Sequence, residues 1–193
     1  MIRWFKKKLN LDEQYRNLKN INISLINDVS LQQITDYSGN RKYKDTPYLL
    51  LLIDMGSEIQ IPSGEVIYPS HDIWYLDREC IEDHGDYCKI VKRVAELMKG
   101  EVEINHITDY VDIESEICWI SFEINGKHLK FELIVDDDWL DLNIFKLFSE
   151  LLEEFESKRR FYYSDLGQGI LVGAYRKEQW MSLNQLINIF LPT

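Results

Sequence analysis

No complete catalytic signature runs through this sequence. Glycine is scarce, nine in 193 residues. The one Gly-x-Gly, Gly167-Gln168-Gly169, lacks the lysine and the wider glycine spacing of a phosphate-binding loop. A tight turn accounts for it. Glu156-Ser157-Lys158 has the E-x-K half of a nuclease motif, but it falls at a helix-to-strand junction with no acidic strand end upstream. Cysteine is limited to Cys80, Cys88 and Cys118. An odd count without framework spacing argues against a disulfide scaffold and for reduced thiols in a cytoplasmic protein. The start, Met1-Ile2-Arg3-Trp4-Phe5-Lys6-Lys7-Lys8, is basic with no apolar stretch after it, so no signal peptide is expected. No window approaches the roughly 20 apolar residues that span a bilayer. Positive charge is short as well: 22 Lys and Arg stand against 33 Asp and Glu, a net −11.

What is present is enough for one core. A chain of 193 residues, 45% hydrophobic and 12% aromatic, is expected to fold as a single domain over residues 1–193 and not to be disordered. Its charge is uneven. Arg3, Lys6, Lys7, Lys8, Arg16 and Lys19 against Asp12 and Glu13 make residues 1–20 net +4, leaving −15 for the rest of the −11 chain. Such a field repels phosphate backbones and attracts basic surfaces, so direct nucleic-acid binding is not expected. Residues 1–20 read as a basic N-terminal helix docked on the body. A membrane-surface or partner helix is the alternative, with a scaffold or adaptor role to match, although so few basic residues make a marginal anchor.

Along the chain, a helix is expected near Ser30–Tyr37 and a loop at Ser38-Gly39-Asn40-Arg41. The apolar run of residues 47–53 is expected to be a buried strand. Extended structure follows over 65–76, then a turn at Asp83-His84-Gly85-Asp86. A helix runs from an Asp86 cap to Lys99, with Gly100 as its stop. Three alternating runs, 102–107, 117–124 and 127–135, predict an antiparallel meander. Asn125-Gly126 joins the last two, because both residues accept the positive φ of a type I′ turn. A helix over Leu142–Phe155, short strands at Arg159–Tyr163 and Ile170–Ala174, and a closing helix over Lys177–Phe190 ended by Pro192 complete the pattern. The fold class is α+β: a largely antiparallel sheet, meander plus C-terminal hairpin, packed against helices.

Two constellations invite a functional reading. Cys80, His84 and Cys88 recur every four residues and, with His71, could ligate zinc or a similar ion on one helix face. Gly85 and its turn argue against an unbroken helix there, and buried free cysteine is the plainer account. His106 and His128 lie on separate strands. They have no nucleophile with a supporting motif, Cys118 and Ser121 included, and read as structural. The more informative stretch is Asp136-Asp137-Asp138-Trp139-Leu140-Asp141. Its carboxylates could cap the following helix, hold a divalent cation, supply half of a hydrolytic pair, or form an acidic recognition patch around Trp139. The spacing does not match an EF-hand loop.

Three stretches in order carry a family resemblance: Asp109-Tyr110-Val111-Asp112 with the Asn125-Gly126-Lys127 turn; Asp138-Trp139-Leu140-Asp141 before a leucine-rich helix; and Arg160-Phe161-Tyr162-Tyr163 with Gly167-Gln168 and a closing helix. Over roughly residues 85–190 the chain resembles bacterial immunity proteins of polymorphic and contact-dependent toxin systems. The resemblance is one of pattern and carries no site residue, because such inhibitors use variable surfaces. It implies a small, acidic, cytoplasmic protein without catalytic machinery or cofactor, which neutralises a toxin. Many such toxins are nucleases with basic clefts. Both lines lead to one expectation: a non-enzymatic acidic protein that binds a basic protein partner through Asp136, Asp137, Asp138, Trp139 and Asp141. A metal-assisted hydrolase is the alternative.

Overall fold

The computed structural model describes residues 9–36 and 40–193, with the backbone alone for 40–42. Four helices come first: α1 (Leu11–Asn20), α2 (Leu31–Thr35), α3 (Asn40–Asp45) and α4 (Leu49–Gly56). α1 and α2 begin at full capping boxes, Asn10 with Glu13 and Ser30 with Gln33, each satisfying two orphan backbone donors. Strands β1 (Ile59–Gln60), β2 (Val66–Ile67) and β3 (Trp74–Asp77) lead to α5 (Asp86–Leu97). The meander β4 (Ile104–Asp112), β5 (Ile117–Ile124) and β6 (Lys127–Glu132) precedes α6 (Asn143–Glu154). The hairpin β7 (Arg159–Asp165) and β8 (Gly169–Arg176), then α7 (Lys177–Leu186) and β9 (Leu191–Pro192), close the order.

Every strand pair is antiparallel. The strands form a β1-β2 ribbon, a sheet in the order β3-β8-β7-β9, and the meander β4-β5-β6. The expected α+β architecture is therefore present, with meander and hairpin in separate sheets. Asn125 and Gly126 both have positive φ, 47° and 80°, as the β5–β6 turn requires.

The four-stranded sheet is the wall between two cores. In β8, every residue but Arg176 is buried. Ile170, Val172 and Ala174 face one core, while Leu171 and Tyr175 face the other. The first core joins this sheet to α5, α6 and the inner face of the meander. Phe122 of β5 stacks on Phe148 of α6 with centroids 5.3 Å apart, and Phe148 meets Phe161 of β7 edge-on at 6.5 Å. The second core gathers α1, α3, α4 and α7 around Leu18, Tyr43, Leu51, Leu52, Met55 and Leu183. α1 is thus docked through Leu18 and the fully buried Gln14, whose amide donates to Tyr43 O and whose Oε1 accepts from Tyr48 N. The docked reading of the N-terminal segment holds for Leu11–Asn20, while residues 1–8 lie outside the described residues.

Three expectations are corrected. Residues 47–53 are not a strand: Leu49–Gly56 is helix α4. Tyr48, Leu51, Leu52 and Met55, the positions it buries, keep helical spacing. Asn40 and Arg41 belong to α3 and not to a loop; residues 37–39 lie outside the described residues. α7 stops at Leu186, and Pro192 instead pairs with Tyr162 in β9, an edge position where a missing N–H is tolerated.

α4 lies against β3 with almost no clearance: a Cβ on Gly56 would stand 2.6 Å from Tyr75 N. α5 is anchored by the buried Arg93. Its Nη2 donates to Ser70 O and Ile73 O, and its guanidinium lies 3.9 Å over the Tyr68 ring. Among the described residues no helix is long and apolar enough to cross a membrane.

Candidate functional site

The acidic stretch lies between the end of β6 and α6, and the structure divides its residues by role. Asp141 is structural. Its Oδ2 accepts from Ile134 N at 2.9 Å, and its Oδ1 accepts from the backbone N and side-chain Nδ2 of Asn143, both at 2.9 Å. It thereby fastens the entry to α6. Its own N–H donates to the buried Tyr87 hydroxyl. The N-cap of α6 is Leu142 and carries no side-chain cap bond, so Asp141 holds the segment leading into the helix and the aspartates before it do not cap it. Asp138 contributes its carbonyl, which accepts from both Cys80 N and Ile81 N at 3.0 Å. Asp136 and Asp137 are exposed.

These bonds bring three distant segments to one end of the molecule. Trp139 forms an isolated antiparallel bridge with Glu79, and Leu140 N donates to Arg78 O. Arg78 N in turn donates to Gln168 O in the β7–β8 turn. Side chains follow the backbone. Gln168 Nε2 donates to Glu79 Oε2 at 3.0 Å, and Arg78 Nη1 meets Asp165 Oδ2 at 3.1 Å. Asp77 and Glu79 from the end of β3, Asp136 to Asp138, and Asp165 therefore share one surface. The field is felt next to it. Burial pushes the Cys80 thiol up to about 11, and the charges of Asp86, Asp77 and Asp138 add to the shift.

Trp139 is half-buried and does not stand free. The Arg78 guanidinium covers it, 4.8 Å from the ring, in a cation–π contact. The surface gathers carboxylates from three segments beside an indole already topped by one of the chain's own arginines. Trp139 therefore presents no open ring face on the side of Arg78, while the clustering of negative charge is wider than the six-residue stretch alone.

The alternative metal group does not assemble. Among the described residues, no three His, Cys, Asp or Glu side chains are arranged to hold a metal ion. His71 lines a separate cleft with Asp72 and Lys99. His84 Nδ1 accepts from Val111 N at 3.1 Å, and the ring lies on Tyr110. Cys88 N donates to Asp109 Oδ2 at 2.9 Å, while Asp109 Oδ1 accepts from Gly85 N at 2.7 Å. Asp109 is thus the acceptor for the first turn of α5, reaching from β4. Asp86, expected to cap this helix, instead accepts from Glu82 N and Asp83 N in the preceding turn. Burial also pushes Cys88 and Cys118 up to about 11, with Asp109 adding to both. Raised thiol pKa values are the reverse of nucleophile activation.

Ser121 and His128 come together across β5 and β6, Oγ to Nε2 at 3.2 Å. Among the described residues no carboxylate hydrogen-bonds His128, so the pair lacks the orienting acid of a triad. His106 lies 3.8 Å from Glu123. On the same outer face Tyr110 stacks on Trp119 at 5.9 Å, and Lys130 Nζ caps Trp119 at 3.9 Å. Those ring faces are occupied by the chain itself.

Sequence reasoning missed Asp77, Arg78, Glu79, Asp165 and Gln168. The charged triplet Asp77-Arg78-Glu79 after the apolar Trp74-Tyr75-Leu76 was the available signal for a strand ending at a surface. Its proximity to residues 136–141 had no local signal. Comparisons of the chain with protein-family models, with curated proteins and with solved structures find no match.

Proposed function

We propose that this chain is a non-enzymatic, cytoplasmic binding protein that captures a basic protein through its acidic end. The observation that carries the reading is the convergence of Asp77, Glu79, Asp136, Asp137, Asp138 and Asp165 around the Trp139–Arg78 pair. Carboxylates from three segments on one surface, in a chain of net −11, attract a cationic partner over roughly a Debye length, about 8 Å at physiological salt. They also accelerate its capture. A toxin domain is the partner that the resemblance to immunity proteins implies. Such a protein needs no cofactor and does not bind nucleic acid directly.

Asp136, Asp137 and Asp138 are the proposed contacts. Trp139 contributes once Arg78 is shared with, or displaced by, a partner cation, and Asp141 acts only by holding the segment. The test is co-expression with the product of a toxin-like reading frame adjacent to this chain's gene, with survival as readout. Association rates of the purified pair at low and high salt complete it. Wild type should protect, and Asp136→Lys combined with Asp137→Lys should slow association about tenfold or more at low salt. Equal rates for both proteins at low salt would remove the assigned surface.

A further inference from the structure

The β7–β8 hairpin carries opposite charge at its two ends. Asp165 lies at the turn end, in the acidic surface. At the open end Arg159 and Arg176 are paired across the strands, roughly 20 Å away for a seven-residue strand. With Lys99, these two arginines line a cleft of about 460 Å³ bounded by Asn20, Asn22 and Gln179. Three cations around one cleft stand out in a chain with a net charge of −11.

Glu101, Asp72 and Glu178 balance the three cations in formal charge, but Arg176 is held only loosely. Glu101 serves both arginines, 3.3 Å from Arg159 Nε and 3.9 Å from Arg176 Nη2. Arg159 is otherwise positioned by donating Nη1 to Ala174 O at 2.8 Å. The Arg176 side chain is 57% exposed, with no closer acid among the described residues. Lys99 is bound to Asp72, and Glu178 also lines the cleft. The wall includes the first turn of α7, which starts directly after Arg176 without a side-chain cap; its positive dipole end is shared with Glu178 in the same turn.

We infer that this cleft binds a small phosphorylated molecule, a phosphomonoester dianion. Arg176 and Arg159 take the phosphate as charge-assisted donors, and Asn20 and Asn22 on the same wall take hydroxyl groups of the organic part. The volume exceeds what a bare phosphate fills. The acidic remainder of the chain repels an extended polyanion, which selects for a small ligand.

The test uses the full chain at low ionic strength, titrated by calorimetry with ribose 5-phosphate, inorganic phosphate and ribose. Saturable binding of ribose 5-phosphate, weakened by added salt and absent for ribose, is expected. Arg176→Gln should weaken it about tenfold or more. Arg176→Lys should stay within a few-fold of wild type, and Lys146→Gln, a cation removed elsewhere on the surface, should leave it unchanged. Because the Arg176 side chain is largely in solvent, both Arg176 variants should keep the wild-type circular dichroism. Equal affinity for inorganic phosphate would overturn the assignment to an ester. No saturable binding at millimolar ligand, or Arg176→Gln binding as wild type does, would overturn the site.

Discussion

Replacing Asp141 by alanine separates support from contact within the acidic stretch. The carboxylate accepts three hydrogen bonds, from Ile134 N, Asn143 N and Asn143 Nδ2. Bonds to a charged group contribute about 1.5–3 kcal/mol each when well enclosed. These three bonds are exposed to solvent, so water replaces most of what is lost and each counts for about 1 kcal/mol. The net cost should be about 3 kcal/mol, a large share of the roughly 5–15 kcal/mol that holds a domain together. For a domain of this size that lowers the thermal midpoint by roughly 6–12 °C. Asp136→Ala, at an exposed position without such bonds, should stay within about 0.5 kcal/mol of wild type, whereas Asp137→Ala should cost about 1 kcal/mol because alanine tolerates a left-handed backbone less well than aspartate. Asp137 has φ 53°, so Asp137→Gly should be neutral or slightly stabilising. Urea unfolding followed by tryptophan fluorescence measures all four variants. If Asp141→Ala is as stable as Asp136→Ala, the anchoring role assigned to Asp141 is wrong.

Phe148→Ala empties the centre of the Phe122–Phe148–Phe161 chain and should cost about 3–5 kcal/mol, against less than about 1.5 kcal/mol for an ordinary volume-conserving swap; chemical denaturation checks the figure. Asp109→Ala removes the acceptor for Gly85 N and Cys88 N and should cost about 2 kcal/mol, with amide exchange accelerating at Cys88 more than at Val94. The thiols of Cys80, Cys88 and Cys118 are pushed from 9.0 to about 11 in the folded protein. Folding therefore favours their neutral forms: that stabilisation is complete below about pH 9 and is lost as pH rises through about 11. Stability should decline across that window, and alkylation at pH 8 should run far slower in native than in denatured protein. Equal alkylation rates would contradict the burial assigned to these thiols.

Much of the secondary structure was legible because its signals are local. Asn125-Gly126 between alternating runs fixed the β5–β6 hairpin, and the helical spacing of Ile144, Phe145, Phe148, Leu151 and Leu152 marked α6. The misread run at 48–53 shows where periodicity fails. Four consecutive leucines fill a central strand or a buried helix equally well, and only the low content of β-branched residues favoured the helix. Sheet membership was not legible, since β3 pairs with β8 from nearly a hundred positions away. The acidic surface was half visible for the same reason. Residues 136–141 announce themselves, whereas Asp77, Glu79 and Asp165 join them only through the β3–β8–β7 ladder. Nothing in the sequence told that Arg78 would settle over Trp139.

The position of β8 as the shared wall has a consequence for biosynthesis. Helices α1 to α4 leave the ribosome long before residues 169–176 exist, and the apolar sides of Leu18, Leu51, Leu52 and Met55 have no sheet to lie on until then. Most of the nascent polypeptide must wait with greasy surface uncovered, a window in which chaperones and proteases compete. A ribosome stalled before β8 would leave a fragment with neither core closed, since both lose the residues this strand contributes.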